Sequence, residues 1–197
     1  MNKRSFLRKG ILGIGALLIG RKAQALEYYP RPAAKKWAVL YGTWCGSARD
    51  AAVWISEGMD GIANVFDVRE NPDLSKYDNV IIGGAIRWGK ISPELQKYLD
   101  KNRDIIKARV RGYFAVCGNM MKPVIPETTT NLIDNHLAKI CGVPGLPSKV
   151  FLGRITFGLM DPDARKQIES FSMTEYDNLK RPECMVFGKE VLTSVKG

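Results

Sequence analysis

Histidine is nearly absent from this sequence: His136 is the only one in 197 residues. That excludes a multi-histidine metal centre. It also leaves any Ser/His or Cys/His nucleophile dependent on one side chain, on the polar side of a helical stripe. Cysteine is sparse as well. Cys45, Cys117, Cys141 and Cys184 form no C-x-x-C pair, which removes the usual zinc and dithiol spacings. The Gly-rich turn Gly42-Thr43-Trp44-Cys45-Gly46-Ser47 has neither the lysine of a Walker loop nor the spaced glycines of a dinucleotide fingerprint. The N-terminal apolar run from Gly10 to Gly20 has eleven residues. A stable transmembrane helix needs about 20, so none is expected.

Acid is missing from residues 1–25, which hold six of the 30 basic groups: Lys3, Arg4, Arg8, Lys9, Arg21 and Lys22. The remaining chain carries 24 basic against 20 acidic residues, and from Trp37 onward the balance is 21 against 19. The formal net charge of +10 therefore belongs to the N-terminus, and nucleic-acid binding loses its main support. A hydrophobic content of 45% with 25% charged residues is globular composition and argues against disorder.

The N-terminus reads as an export signal. Met1 to Lys9 is basic, Gly10 to Gly20 is apolar, and Ala23-Gln24-Ala25 is a small-x-small cleavage pattern. Asn2-Lys3-Arg4-Ser5-Phe6-Leu7-Arg8 resembles the twin-arginine motif, with Lys3 where the first arginine stands. The resemblance implies a partner in the twin-arginine machinery and a periplasmic location. Residues 1–25 are thus the signal, 26–36 a Pro- and Lys-containing tether, and 37–197 one domain.

That domain alternates strands and helices. Trp37 to Tyr41 is apolar throughout, as in a strand covered on both faces, and Ala48, Ala52, Ile55 and Met59 stripe a helix. Further strands are expected at Ile62 to Val68, Val80 to Ile82, Tyr113 to Cys117 and Val150 to Leu152. Helices are expected after Ser92-Pro93, along Ile133, Leu137 and Ile140 up to Gly142, and along Cys184, Phe187, Val191 and Val195. Gly153 to Lys180 is irregular, with a short helix at Asp163–Phe171. The class is α/β, a doubly wound five-stranded parallel sheet.

Ligands of such sheets bind at the carboxyl ends of the strands. Three ends stand out. Thr43, Trp44, Cys45, Gly46 and Ser47 follow strand one and lead directly into a helix. They suit a phosphate on backbone amides, or equally an ordinary turn capped by Ser47. Ala85, Ile86, Arg87, Trp88 and Gly89 follow strand three, where Trp88 would stack a flat ring or pack on the next helix. Cys117, Gly118 and Asn119 close strand four, with an amide able to read a heterocycle edge.

These loops resemble those of flavodoxin, and more closely the flavodoxin-domain branch that includes menaquinone-dependent protoporphyrinogen dehydrogenase. Tyr41-Gly42-Thr43-x-x-Gly46, Tyr77 through Gly89 and Phe151-Leu152-Gly153-Arg154 carry the likeness, which spans about residues 37 to 195. The resemblance implies strand order 2-1-3-4-5 and FMN. Its phosphate would lie on residues 43–48 and its ring between the 85–89 and 117–121 loops. Cys45 and Ala48 replace family hydroxyls, so a hydroxyl restored at Ala48 is expected to tighten binding. Thr156 to Lys180 is short and mixed in charge where that branch has a longer basic insertion. The fold and cofactor are therefore carried over and that branch's substrate is not. In this strand order a Cys45–Cys117 bridge would require the loops to lean together, so four thiols are expected. The function expected is an exported FMN oxidoreductase or electron carrier serving a quinone or redox protein. The alternatives are a flavodoxin-like accessory module that has lost FMN and, with only His136 available, an esterase of the same fold.

Overall fold

The computed structural model describes residues 30–117, 124–160 and 162–195. Gly118, Asn119 and the segment read as a signal lie outside them. Five parallel strands form the sheet: β1 (Trp37–Gly42), β2 (Ala63–Asp67), β3 (Asn79–Ile86), β4 (Val110–Cys117) and β5 (Ser148–Leu152). Their order is β2-β1-β3-β4-β5. The connecting helices are α1 (Ser47–Gly58), α2 (Pro93–Lys101) and α3 (Arg103–Arg109). Helix α4, residues 126–141, has an α-helical turn at Pro126–Thr129, π-helical winding over Thr130–Ala138 and a last turn at Lys139–Cys141. It stops at Gly142, whose φ of 71° only glycine adopts cheaply. The chain then makes a small ribbon, β6 (Arg154–Ile155) with β7 (Tyr176–Asp177), enclosing α5 (Pro162–Ser170). It finishes with α6 (Arg181–Ser194).

Alternate strand residues face opposite layers, so the sheet is buried twice. Ala38, Leu40, Val80, Ile82 and Tyr113 pack with α2, α3 and α4, whereas Val39, Ile81, Phe114 and Phe151 pack with α1 and α6. Burying both faces is what makes these strands read as continuous apolar runs. Cys141 and Cys184 fall in the two different layers, and all four cysteines are free thiols. Burial pushes the thiols of Cys117, Cys141 and Cys184 up to about 12. All three are protonated, inert core residues.

Several boundaries differ from the sequence expectation, β4 and β5 among them, which begin early at Val110 and Ser148. Strand β3 does not end at Ile82 but continues through Gly83 and Gly84 to Ile86, paired with β1 at Gly42 and with β4 as far as Cys117. The glycines are there for contact: a Cβ at Gly83 would sit 2.2 Å from the Phe114 carbonyl oxygen. Strand β2 ends at Asp67 because that carboxylate accepts from the Arg69 amide (2.9 Å) and starts a 3-10 turn at Val68. Val195 follows α6 and is exposed instead of completing its buried stripe.

Helices α1 and α6 touch backbone to backbone. A Cβ at Gly188 would lie 2.1 Å from the Ile55 carbonyl oxygen, and one at Gly58 would lie 2.0 Å from that of Met185. Gly188→Ala is therefore expected to lower stability by about 1–3 kcal/mol through overpacking. Urea denaturation measures this, and an unchanged midpoint would mean that the helices do not approach so closely.

Candidate functional site

The loop after β1 is shaped by one glycine. Gly46 holds φ 86° and serves as the cap residue of α1, and its N–H donates to Thr43 Oγ1 at 3.0 Å. Cys45 Sγ lies 3.8 Å from Ser47 Oγ. No side chain caps α1, so its first amides face the loop with the positive end of the helix behind them. Ser47 is the first helical residue, not the cap. Ala48 points into the core and is fully buried, so a threonine there would bury a hydroxyl instead of presenting it to the loop. Ala48→Thr is therefore not expected to tighten ligand binding.

The loop after β3 is a tight two-residue turn. The Arg87 N–H donates to the Lys90 carbonyl (2.9 Å) and the Lys90 N–H to that of Arg87 (3.0 Å). Trp88 and Gly89 between them have φ 54° and 73°, the type I′ pattern. Tryptophan in that region is strained, and its ring is 57% exposed. The ring centroid is 6.2 Å from that of Phe171, just beyond α5. Arg87 places its guanidinium 4.9 Å from the Trp44 ring centroid, a cation–π contact that joins the two loops. The turn is also held from below, where the Ile91 N–H donates to His136 Nε2 at 3.4 Å. Burial, with Lys90 nearby, lowers the pKa of His136 and favours the neutral, accepting ring.

Both loops line one wall of a cleft of about 680 Å³, counting its open mouth. Trp44, Cys45, Ser47, Ala85, Ile86, Arg87 and Trp88 form that wall. Thr43, Gly46 and Gly89 shape the same turns without lining it. Cys117 does not reach the cleft. It is buried at the end of β4 beside Ile86, and its carbonyl accepts from the Gly153 N–H at 2.8 Å.

The opposite wall went unread in the sequence: Arg154, Ile155, Met160, Ala164, Gln167 and Ile168, from β6, α5 and the segment between them. Arg154 leans over the first loop, its Nη2 lying 3.6 Å from where a Cβ on Gly46 would be. The same nitrogen pairs with Asp50 in the first turn of α1, and Nη1 is 3.7 Å from Asp177. Arg154 Nε is buried and has no hydrogen-bond partner among the described residues. The available signal was a cation placed immediately after the fifth strand, where an α/β sheet gathers its ligands. Among the described residues no group of three or more His, Cys, Asp or Glu is arranged to hold a metal, and no helix is long and apolar enough to cross a membrane.

A cleft at the β1/β3 switch point of a 2-1-3-4-5 sheet, floored by an uncapped helix, defines a flavodoxin-like domain. The chain belongs to the flavodoxin domain family, whose model matches residues 38–155. Over 102 residues it is 26% identical to protoporphyrinogen IX dehydrogenase [quinone] of Escherichia coli K12. The match covers 49% of this chain and 56% of that protein, so the chain spans about half the length of the curated relatives it matches. Solved structures with the same fold include a flavodoxin from the domain Archaea (TM-score 0.51, 15% identity, 82% of this chain and 99% of that one). Oxidised flavodoxin 1 from Bacillus cereus is similar at TM-score 0.50 and 14% identity, over 80% of this chain and 97% of that one.

The strained turn generates a test. Trp88→Asn places the favoured Asn-Gly pair in the type I′ loop and should raise stability by about 0.5–1 kcal/mol. Urea midpoints at equal slope read the gain. A loss of stability instead would mean that contact with Phe171 outweighs the backbone strain.

Proposed function

We propose that this chain binds FMN in the β1/β3 cleft and acts as a flavodoxin-type oxidoreductase or electron carrier, exchanging electrons with a quinone or a redox protein. One observation carries the reading: the two loops expected to hold phosphate and ring form one wall of a single cleft at the switch point. The residues fit the group. Gly46 has no Cβ to block the approach, the first amides of α1 lack a side-chain cap, and Arg154, whose buried Nε–H has no acceptor among the described residues, sets its Nη2 near Gly46. Thr43 to Ser47 would hold the phosphate, while Trp88 would stack on the ring and Arg87 would place positive charge near it. Met160, Ala164 and Ile168 would keep water from the enclosed side. When bound, FMN supplies one- or two-electron uptake and release. The quinone side of the proposal draws on the name of the distant relative, and that protein's substrate is not carried over.

A second reading, an accessory module that has lost FMN, is favoured by Cys45 and by the fully buried Ala48, which leave the loop with few hydroxyls. Titration of the purified protein with FMN, followed by fluorescence quenching, separates the two. Wild type should quench flavin at micromolar concentration, Gly46→Val should abolish quenching, and Trp88→Ala should weaken binding about fivefold, the worth of ~1 kcal/mol of stacking. No quenching at high micromolar FMN would leave the accessory module as the reading.

The basic and apolar order of residues 1–25 further supports export through the twin-arginine route to the periplasm. N-terminal sequencing of material from the periplasm should begin at Leu26, and Lys3→Gln with Arg4→Gln should retain the precursor in the cytoplasm. Uncleaved cytoplasmic protein in the wild type would overturn this part of the proposal.

A further inference from the structure

We infer that Arg154 is the specificity-determining residue of the cleft: it turns from Asp50 to the phosphate of the ligand and makes the site selective for a phosphorylated flavin over an unphosphorylated one. The inference rests on the FMN reading above and assigns it a residue outside the two loops.

The first loop is short of donors for a dianion. Cys45 and Ala48 supply no hydroxyl, and the Gly46 N–H is already engaged by Thr43 Oγ1. Without Arg154, only neutral amides and the Thr43 and Ser47 hydroxyls would hold phosphate there, and no positive side chain would. Arg154 changes that balance. It arrives from β6, on the far wall, and sets its guanidinium against Gly46 with its side chain only 15% exposed. Its present bonds leave it incomplete. Nη2 takes Asp50, Nη1 has only a long contact to Asp177, and the Nε–H is buried without an acceptor among the described residues.

A buried donor without an acceptor is costly, whereas Nε–H and Nη–H together form the planar fork that binds two phosphate oxygens at once. A phosphate over the Gly46 turn would lie within reach of that fork and of the first amides of α1. Asp50 then becomes the competitor. In the apo protein its carboxylate holds Arg154 in position and faces the positive end of α1, and on binding it has to share the guanidinium with the incoming dianion. Riboflavin, with no phosphate, would gain nothing from Arg154.

The competing explanation is structural: Asp50, Arg154 and Asp177 would simply tie the β6–β7 ribbon to α1. Affinities of the full chain for FMN and for riboflavin, read by fluorescence quenching alongside urea midpoints, separate the two. The phosphate role predicts that wild type prefers FMN to riboflavin by at least about 100-fold. Arg154→Met should then weaken FMN about 10- to 100-fold while leaving riboflavin within about threefold, and Arg154→Lys should recover part of the loss. Asp50→Asn removes the competitor, so it should tighten FMN about threefold without changing riboflavin, and it remains informative if Arg154→Met does not fold. Equal weakening of both flavins in Arg154→Met, unchanged FMN affinity in that variant, or weaker FMN binding in Asp50→Asn would overturn the inference and leave the FMN reading standing. Binding of neither flavin by wild type would overturn both.

Discussion

The reversal of strand order between β1 and β3 is the constraint on which the rest of this molecule depends. From β1 the chain leaves through α1 into one layer, and from β3 it leaves through α2 into the other. No helix can then cover the carboxyl ends of these two neighbouring strands, and a crevice opens there by geometry. The crevice survives only if β3 stays in register with both neighbours to its end. Gly83 does this at the Phe114 carbonyl, and Gly84 does it where a Cβ would stand 2.7 Å from the Gly42 carbonyl oxygen. Any larger side chain at those two points would push the strands apart and dissolve the floor of the cleft.

Around that floor the structure relies on contacts between elements distant in sequence. The Arg87–Trp44 stack ties the loop after β3 to the loop after β1, and the Arg154–Asp50 pair ties the β6–α5–β7 excursion to α1. Exposed ion pairs contribute little to stability, but Arg154 is largely removed from solvent and its Nε–H has no acceptor among the described residues. The cleft therefore carries a guanidinium beside the start of α1 at one end and an apolar, aromatic-rimmed surface at the other, where Trp88 faces Phe171. That polarity along one groove suits a molecule with a charged tail and a flat ring.

The positive-φ residues sharpen the picture. Gly46, Trp88 and Gly89 all fall on the two cleft loops, and only Trp88 is a residue that pays sterically for the conformation. Elsewhere the local signals agree with the fold: Ser92 caps α2 by accepting from Leu95 N–H, and Gly142 stops α4. Asp60, Asn71 and Ser172 also take positive φ, but Trp88 is the bulkiest of the four described non-glycine residues to do so, and it is the one on a cleft loop.

What was legible in the sequence follows from local periodicity. Apolar runs such as Trp37 to Tyr41 and stripes such as Ala48, Ala52 and Ile55 report their own burial, because a doubly covered sheet admits no polar alternation. The loops at Thr43–Ser47 and Ala85–Gly89 were legible for a related reason: topology delivers strand ends to one edge whatever their side chains. The glycines of β3 read as a terminus, since glycine signals a turn locally and close packing only when a neighbouring strand is present. Arg154 could be read as a basic residue after a strand, but not as a guanidinium over Gly46. That position requires β5 to lie two strands from β3 and the 153–180 segment to fold back across the sheet edge. Local sequence determined which residues are buried and where the chain turns. Only the tertiary structure decided which distant charges meet over the cleft, because such contacts depend on the path of the whole chain and leave no periodic trace.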